Sequence, residues 1–276
     1  MGAKSARANF MNPASQERPI EARSWGSFEQ KVRKKGHKLL AALDGFRSPI
    51  LVGGCQRSGT TMVARFLAAT PGVDNPWRTD DSELEAANVL SGAAALPQEN
   101  RYCFQTTYLN DRYLEYFEHG HFRMVWVIRN PHSVVYSMVY NWKLAALNRL
   151  FDACGVNTIQ PELRGKYQWL SACRFDRVYK ACVSYNAKLA QMHELGEKLG
   201  KKRLWVIDYD DFVADPKRHG EGILKFLDLN NEEGLYDSIH SRSKNKSDSL
   251  ARADKDRIDT ICAAHYLEAR TRLSQE

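Results

Sequence analysis

The chain has 276 residues, 43% of them hydrophobic, enough to bury the core of one α/β domain. Its net charge is +7, yet ten Lys/Arg against four Asp/Glu in residues 1–48 carry +6 of that excess. The basicity therefore belongs to an N-terminal extension, which argues against a broad nucleic-acid-binding face. Six cysteines, at 55, 103, 154, 173, 182 and 262, form no close-spaced framework and no Cys-x-x-Cys pair, so they read as reduced thiols of a cytoplasmic protein. The eight histidines are scattered, which offers no metal cluster. No apolar run approaches the ~18 residues of a membrane span, and the N-terminus lacks the apolar core of a signal peptide.

Residues 1–24 are polar, with small residues and two prolines, and read as a flexible extension. Residues 26–44 predict a helix, with Phe28, Val32, Leu39, Leu40 and Leu43 opposite Lys31, Lys34, Lys35 and Lys38. That apolar face suits packing on the domain, with membrane-surface or carrier-protein docking as the alternative. Residues 49–61 then read as a buried strand, a glycine-bearing turn and a helix start. Residues 54–61 fit the phosphate-loop spacing G-x-x-x-x-G followed by two threonines. Thr60 stands where a nucleotide triphosphatase carries its lysine, and Arg57 supplies a cation from inside the loop. The pattern points to a phosphate-containing donor other than ATP. Met62, Val63, Phe66 and Leu67 share the face of the following helix, which Thr70-Pro71-Gly72 stops.

Residues 87–101 predict a loop or broken helix, 102–108 a strand, and 108–117 a helix. The apolar run 124–128 predicts another strand, with Arg129 at its end. Asn130 suits an N-cap and Pro131 a first helical residue. Ser137, two turns on, can face the same crevice as Arg129, because open α/β sheets bind ligands beyond the carboxyl ends of their strands. Residues 154–166 read as a loop of the length that often serves as a lid. Residues 175–199 predict a long core helix, 204–207 a strand, Asp215-Pro216 a helix start, 241–247 a basic hydroxyl-rich loop, and 254–273 a final helix. The fold class is α/β, with a central parallel sheet flanked by helices.

Arg57-Ser58-Gly59-Thr60-Thr61 resembles the 5′-phosphosulfate loop of sulfotransferases that use 3′-phosphoadenosine-5′-phosphosulfate (PAPS). The stretch from Ile128 through Arg129-Asn130-Pro131 to Ser137 resembles that family's 3′-phosphate motif. Residues 206–212, with Asp215-Pro216 and residues 223–227, resemble its later strand, its Y-E-D-L-like segment and the next helix. The three matches run in family order from about residue 49 to 229.

The resemblance implies a three-layer P-loop-type fold. Residues 25–276 would form one sulfotransferase-like domain, with an acceptor-site insert at about 143–174, after a flexible extension 1–24. It implies transfer of a sulfuryl group from PAPS to a hydroxyl or amine of a small metabolite or carbohydrate, with 3′-phosphoadenosine-5′-phosphate (PAP) as product and no metal. Arg57, Ser58, Gly59, Thr60 and Thr61 would hold the 5′ side of the donor, with Arg57 also acting on developing charge. Arg129 and Ser137 would hold the 3′-phosphate, and Tyr209 the adenine. Some relatives use a histidine at the end of the second strand as base, others a glutamate soon after the first helix. The 102–108 strand has no histidine and carries Gln105 where relatives often have lysine. Glu83, with Asp81 and Asp80 behind it, is the candidate base, and helix capping is the competing role for these carboxylates. Tyr136, Tyr140, Trp142, Tyr167 and Trp169 are candidates to line an acceptor pocket. The family's C-terminal R-K-G loop is absent, with Arg242, Lys244 or Lys246 as possible replacements. The rival readings are a P-loop nucleotide kinase or NTPase, and a PAPS-binding protein without catalysis.

Overall fold

The computed structural model describes residues 19–79, 81–165, 176–237, 239 and 246–274. Four short strands build the sheet: β1 (Ile50–Gly54), β2 (Cys103–Gln105), β3 (Arg123–Ile128) and β4 (Leu204–Asp208). All pair in parallel, in the order β2-β1-β3-β4. Their near-continuous apolar runs fit this pairing, since a parallel sheet is covered on both faces.

The helices that flank the sheet include α1 (Thr60–Ala68), α2 (Ser82–Leu90), α3 (Pro131–Tyr140), α4 (Leu144–Ala153), α5 (Arg177–Leu199), α6 (Tyr209–Ala214), α7 (Pro216–Phe226) and α8 (Arg252–Arg270). Alternate strand residues divide between two cores. Val52, Val125, Val127 and Ile207 pack with Val63 and Phe66 of α1, Phe212 of α6 and Ile223 of α7. Leu51, Phe104, Trp126 and Val206 pack with Val135 of α3, Tyr185 and Leu189 of α5 and Ile258 of α8. This period-2 division produces the three layers that the sequence predicts.

The topology also locates the cleft. β2 lies on one side of β1, while β3 and β4 lie on the other. The chain therefore reverses its direction of travel across the sheet between β1 and β3, where ligands bind in such folds. Gly54 is level with Val127, and Ile128 with Asp208, so three strands deliver their following residues to one rim. The helix starts follow the predicted caps. Asn130 Oδ1 accepts from His132 N at 2.9 Å, with Pro131 as the first helical residue. Asp215 Oδ1 accepts from Arg218 N at 3.2 Å, with Pro216 in the same role.

Several expectations need correction. Residues 26–44 do not form one helix. A helical turn at Trp25–Phe28 runs into a π-turn at Glu29–Arg33, and a 3-10 turn follows at Leu43–Gly45. Gly36 has φ +78°, which ends the run. Beyond it the Leu39 and Leu40 amides donate to the buried Glu115 carboxylate, at 2.6 and 3.1 Å, instead of to helix carbonyls. The apolar residues of that stretch are nonetheless buried against the domain. Second, the ordered body begins before residue 25: Ala22 is buried and exchanges two hydrogen bonds with the Asn88 side chain, at 2.8 and 2.9 Å. Third, helix persists to Leu90, where a loop or broken helix was predicted from residue 87, because Ala87, Val89 and Leu90 are buried. Of residues 108–117, only those from Tyr113 on are helical, in the 3-10 turn Tyr113–Glu118.

Cys55, Cys103, Cys154, Cys182 and Cys262 are free and buried. No helix among the described residues is long and apolar enough to cross a membrane.

Glu115→Ala should release the 39–40 backbone and leave two buried N–H groups without a partner. The expected loss is about 2–4 kcal/mol, or roughly 5–12 °C in Tm for a chain of this size. Thermal unfolding measures it, and a Tm within about 2 °C of the parent would mean that the apolar face alone holds the segment.

Candidate active site

The loop after β1 is held by unusual backbone. Gly54 has φ +147°, Arg57 +73° and Gly59 +97°. A Cβ on Gly59 would stand 2.1 Å from the Tyr209 ring, so no other residue fits there without displacing that ring. Gly59 is the N-cap of α1 and brings no side-chain cap. The first amides of α1 therefore face the cleft with the positive end of the helix dipole, which favours an anion. Thr60 and Thr61 line the same cleft. Ser58 does not present its hydroxyl there. Its Oγ donates toward Cys55 O at 2.6 Å and Val127 O at 3.1 Å, so the expected phosphate-donating hydroxyl instead ties the loop to β3.

Arg57 reaches across the rim and donates from Nε to Ser137 Oγ at 2.9 Å. Ser137 stands two turns into α3, as predicted, and joins the two motifs physically. Arg129 follows β3 and is only 5% exposed. Its guanidinium lies 4.6 Å from the Tyr209 ring centroid, and its Nε donates to Asp210 Oδ1 at 3.3 Å. Tyr185 Oη fixes the Arg129 carbonyl at 2.8 Å. Burial, then the neighbouring Arg129 charge, hold the Arg57 pKa below the usual range for arginine. Arg57, Arg129, Ser137 and Tyr209 all line one cleft of about 330 Å³.

The opposite wall carries Glu83, in the first turn of α2. Its Oε1 accepts from Thr107 Oγ1 in a short hydrogen bond and from Tyr108 N at 3.0 Å. Gln105 Nε2 approaches its Oε2 at 3.4 Å and Thr60 Oγ1 at 3.2 Å, so this amide spans the gap between base candidate and loop. Burial pushes the Glu83 pKa up to about 7, and the Asp81 charge adds to it. The Thr107 and Tyr108 hydrogen bonds and the Lys188 charge oppose the rise.

Asp81 itself is a helix cap. Its Oδ1 accepts from Leu84 N at 3.1 Å at an exposed position outside the cleft, which corrects its expected place behind the base to a capping one. Asp80 lies outside the described residues, as do Tyr167, Trp169, Arg242 and Lys244. Tyr136 and Trp142 line the cleft, whereas Tyr140 is exposed and packs on the Tyr136 ring at 4.9 Å. Lys246 begins a 3-10 turn, Lys246–Ser249.

Sequence reasoning missed Gln56 and Thr107, which line the cleft, Asp210, which pairs with Arg129, and Lys188. Lys188 is buried inside α5, 5.3 Å from the Trp126 ring centroid, with Nζ 3.4 Å from Asn110 Oδ1. A lysine between Ala187 and Leu189 in a core helix was the available signal. Thr107, two residues past the end of β2, was open to the same strand-end argument that picked out Arg129.

The sulfotransferase domain model matches residues 47–260. Among solved structures, the sulfotransferase domain from the curacin biosynthetic pathway aligns with a TM-score of 0.50 at 13% identity, covering 83% of this chain and 99% of its own. The sulfotransferase from Alicyclobacillus acidocaldarius gives 0.49 at 15% identity, with 83% and 97% covered. A mouse sulfotransferase complexed with PAP gives 0.47 at 14% identity, with 86% and 92% covered. No curated protein matches the sequence. The domain match spans most of the chain and includes the loop, both arginines and Glu83, and the chain belongs to the sulfotransferase family.

Proposed function

We propose that this sulfotransferase takes its sulfuryl group from PAPS and passes it to a hydroxyl of a small-molecule or saccharide acceptor, with Glu83 as general base. The observation that carries the reading is the Arg57–Ser137 contact at 2.9 Å, which joins the two candidate phosphate motifs on one wall of the cleft. The cleft suits the donor: it combines helix-terminal amides, two guanidiniums and the Thr60 and Thr61 hydroxyls with an aromatic ring. When bound, PAPS supplies an activated sulfuryl group on a phosphate leaving group.

Thr60, Thr61 and the loop amides hold the 5′ side. Arg57 is positioned to stabilise charge that develops as the sulfur–oxygen bond to the phosphate breaks. Arg129 and Ser137 hold the 3′-phosphate, which ATP lacks, and Tyr209 lies against the adenine. Glu83 accepts the proton of the acceptor hydroxyl as its oxygen bonds to sulfur, and the electron pair of the broken bond stays with the product phosphate. The acidic groups supply a base and a cap without any step that calls for a metal.

The first test is calorimetry with adenosine 3′,5′-bisphosphate, with AMP and ATP as competitors. Tight binding that needs the 3′-phosphate is expected. A preference for ATP with magnesium would return the loop to the kinase or NTPase reading. Arg129→Ala should weaken this binding by about 1.5–3 kcal/mol, roughly 10- to 150-fold. Arg57→Ala should lower kcat more than donor affinity, and a loss confined to affinity would reduce Arg57 to positioning.

The second test is pH. With Glu83 active as the carboxylate, kcat/KM should rise with pH through about 7 and level off above it. Glu83→Gln should remove that limb and cost roughly 10²–10⁴ in kcat. Donor binding without turnover, unaffected by this substitution, would instead favour a PAPS-binding protein without catalysis. The same shift predicts a stability control. The folded chain keeps the Glu83 proton to about 7, above its ordinary value of 4.5, so ionisation disfavours the folded state as pH rises through that window. Glu83→Gln should therefore be at least as stable as the parent at pH 8, and an unfolded variant would void the kinetic comparison.

A further inference from the structure

A cavity of about 410 Å³ lies at the amino ends of the strands, on the opposite rim from the donor cleft. Arg123, in its wall, opens β3, whereas Arg129, in the donor cleft, follows the end of the same strand. Six residues of extended chain, about 20 Å, separate the two. The parallel register assembles this second place. Cys103 and Arg123 are both level with Ile50, so Arg101 stands just before β2 and Arg123 at the start of β3. Leu204 is level with Met124, which brings Arg203 up beside Arg123. Three strands thus deliver an arginine each to one rim.

Their guanidiniums are fixed by the backbone. Arg101 donates to Ser48 O at 3.2 Å, Leu227 O at 2.5 Å and Asp228 O at 3.4 Å. Arg123 donates to Phe226 O at 2.8 Å and pairs with Asp228 Oδ2 at 2.6 Å. Arg203 donates to His119 O at 2.6 Å and Phe122 O at 3.5 Å, and lies 4.4 Å from the Phe122 ring centroid. A guanidinium has five N–H donors, so each of the three keeps further donors in a fixed orientation. Exposed Lys202 and His121 complete the basic lining. Among the described lining residues, four permanent cations face one carboxylate, that of Asp228. Carbonyl oxygens accept hydrogen bonds without cancelling this charge. Burial, then the Arg123 and Arg47 charges, hold the Arg101 pKa below the usual range for arginine, against the pull of Asp228. Burial also lowers that of Arg203, which Asp44 opposes. An anion among these groups relieves their repulsion. Capping the last carbonyls of α7 accounts for Arg101 and Arg123. It does not account for Arg203 and Lys202 on the same wall.

We infer that this cavity is a second anion site, separate from the donor cleft, and that it takes a molecule carrying two or more phosphate-type groups. Fixed guanidinium forks match the oxygens of such groups. From β2 to β4 the arginines span three strand spacings, about 14 Å. A single phosphate cannot meet them all, whereas linked phosphates can. The volume lies within the range of ordinary small-molecule pockets, about 300–1,000 Å³. The inference does not depend on the PAPS reading, since it uses none of the residues of the donor cleft.

The test titrates inorganic tripolyphosphate into the full chain by calorimetry, without PAP and with PAP in excess. Binding that survives PAP is expected. Lys202→Glu should weaken it roughly tenfold or more, and Lys202→Arg should retain it. Lys201→Glu makes the same change of charge at an exposed neighbour outside the cavity and should alter binding little. Tripolyphosphate should also raise the Tm of the parent and not that of Lys202→Glu. Vesicles containing a phosphorylated inositol lipid, set against neutral vesicles, identify the source of the phosphates. Co-sedimentation that Lys202→Glu abolishes would mean that a lipid presents them, and tripolyphosphate binding without co-sedimentation would mean a soluble ligand. No binding of tripolyphosphate, its loss when PAP is added, or equal losses from Lys201→Glu and Lys202→Glu would overturn the site. If PAP itself fails to bind, the donor reading falls, and the comparison of Lys201 with Lys202 still locates the anion.

Discussion

The contact between Gly59 and the Tyr209 ring is the constraint on which the site depends. It forces a glycine at a positive-φ turn and so fixes where α1 begins. The same ring carries the Arg129 guanidinium at 4.6 Å, and the next residue, Asp210, accepts from that guanidinium. One residue earlier, Asp208 accepts from Tyr266 Oη at 2.5 Å and Arg270 at 3.0 Å, which ties α8 to the end of β4. Three successive residues thus anchor the loop after β1, the arginine after β3 and the C-terminal helix. The parallel register makes this possible, because it brings the ends of β1, β3 and β4 to one level.

Charge in the cleft is graded. Burial, and then repulsion between Arg57 and Arg129, lowers the Arg57 pKa. Asp210 offsets part of that repulsion, and an anion between the two guanidiniums would offset more. On the other wall Glu83 is held close to neutral pH by burial and by the carboxylate of Asp81. One side therefore favours a polyanion and the other a proton acceptor, as transfer between a bisphosphate donor and a hydroxyl requires. Asp81 caps α2 and raises the Glu83 pKa from outside the cleft, so its structural role also bears on the chemistry.

The layers, the strand ends and the loop were legible in sequence because each rests on local rules. Buried parallel strands leave unbroken apolar runs, Asn130-Pro131 and Asp215-Pro216 mark helix starts, and a glycine-rich turn marks the anion site. Arg57, Arg129, Ser137 and Glu83 came from those rules together with the family resemblance. What was not legible depended on distant partners. The 26–44 segment has helical periodicity, but the Glu115 carboxylate, far away in sequence, takes its amides. The Ser58 hydroxyl appears free until the Val127 carbonyl arrives from β3. Gln56 owes its place to the folded cleft, and no spacing in the chain announces it.

Gln105 bears on the role proposed for Glu83. It stands at the end of β2, between Thr60 and Glu83, and its amide can donate to both without carrying charge. A lysine there would place a cation beside the carboxylate and depress its pKa, since a nearby opposite charge favours the ionised form. Glu83 would then be a weaker base, and the lysine would contribute its own charge to the transfer. With a neutral amide in that position, the cations lining the cleft are Arg57 and Arg129. Lys188 does not reverse this, because its own burial lowers its pKa. The amide at 105 and the raised glutamate at 83 are thus one electrostatic solution, and a change at either position alters what the other can do.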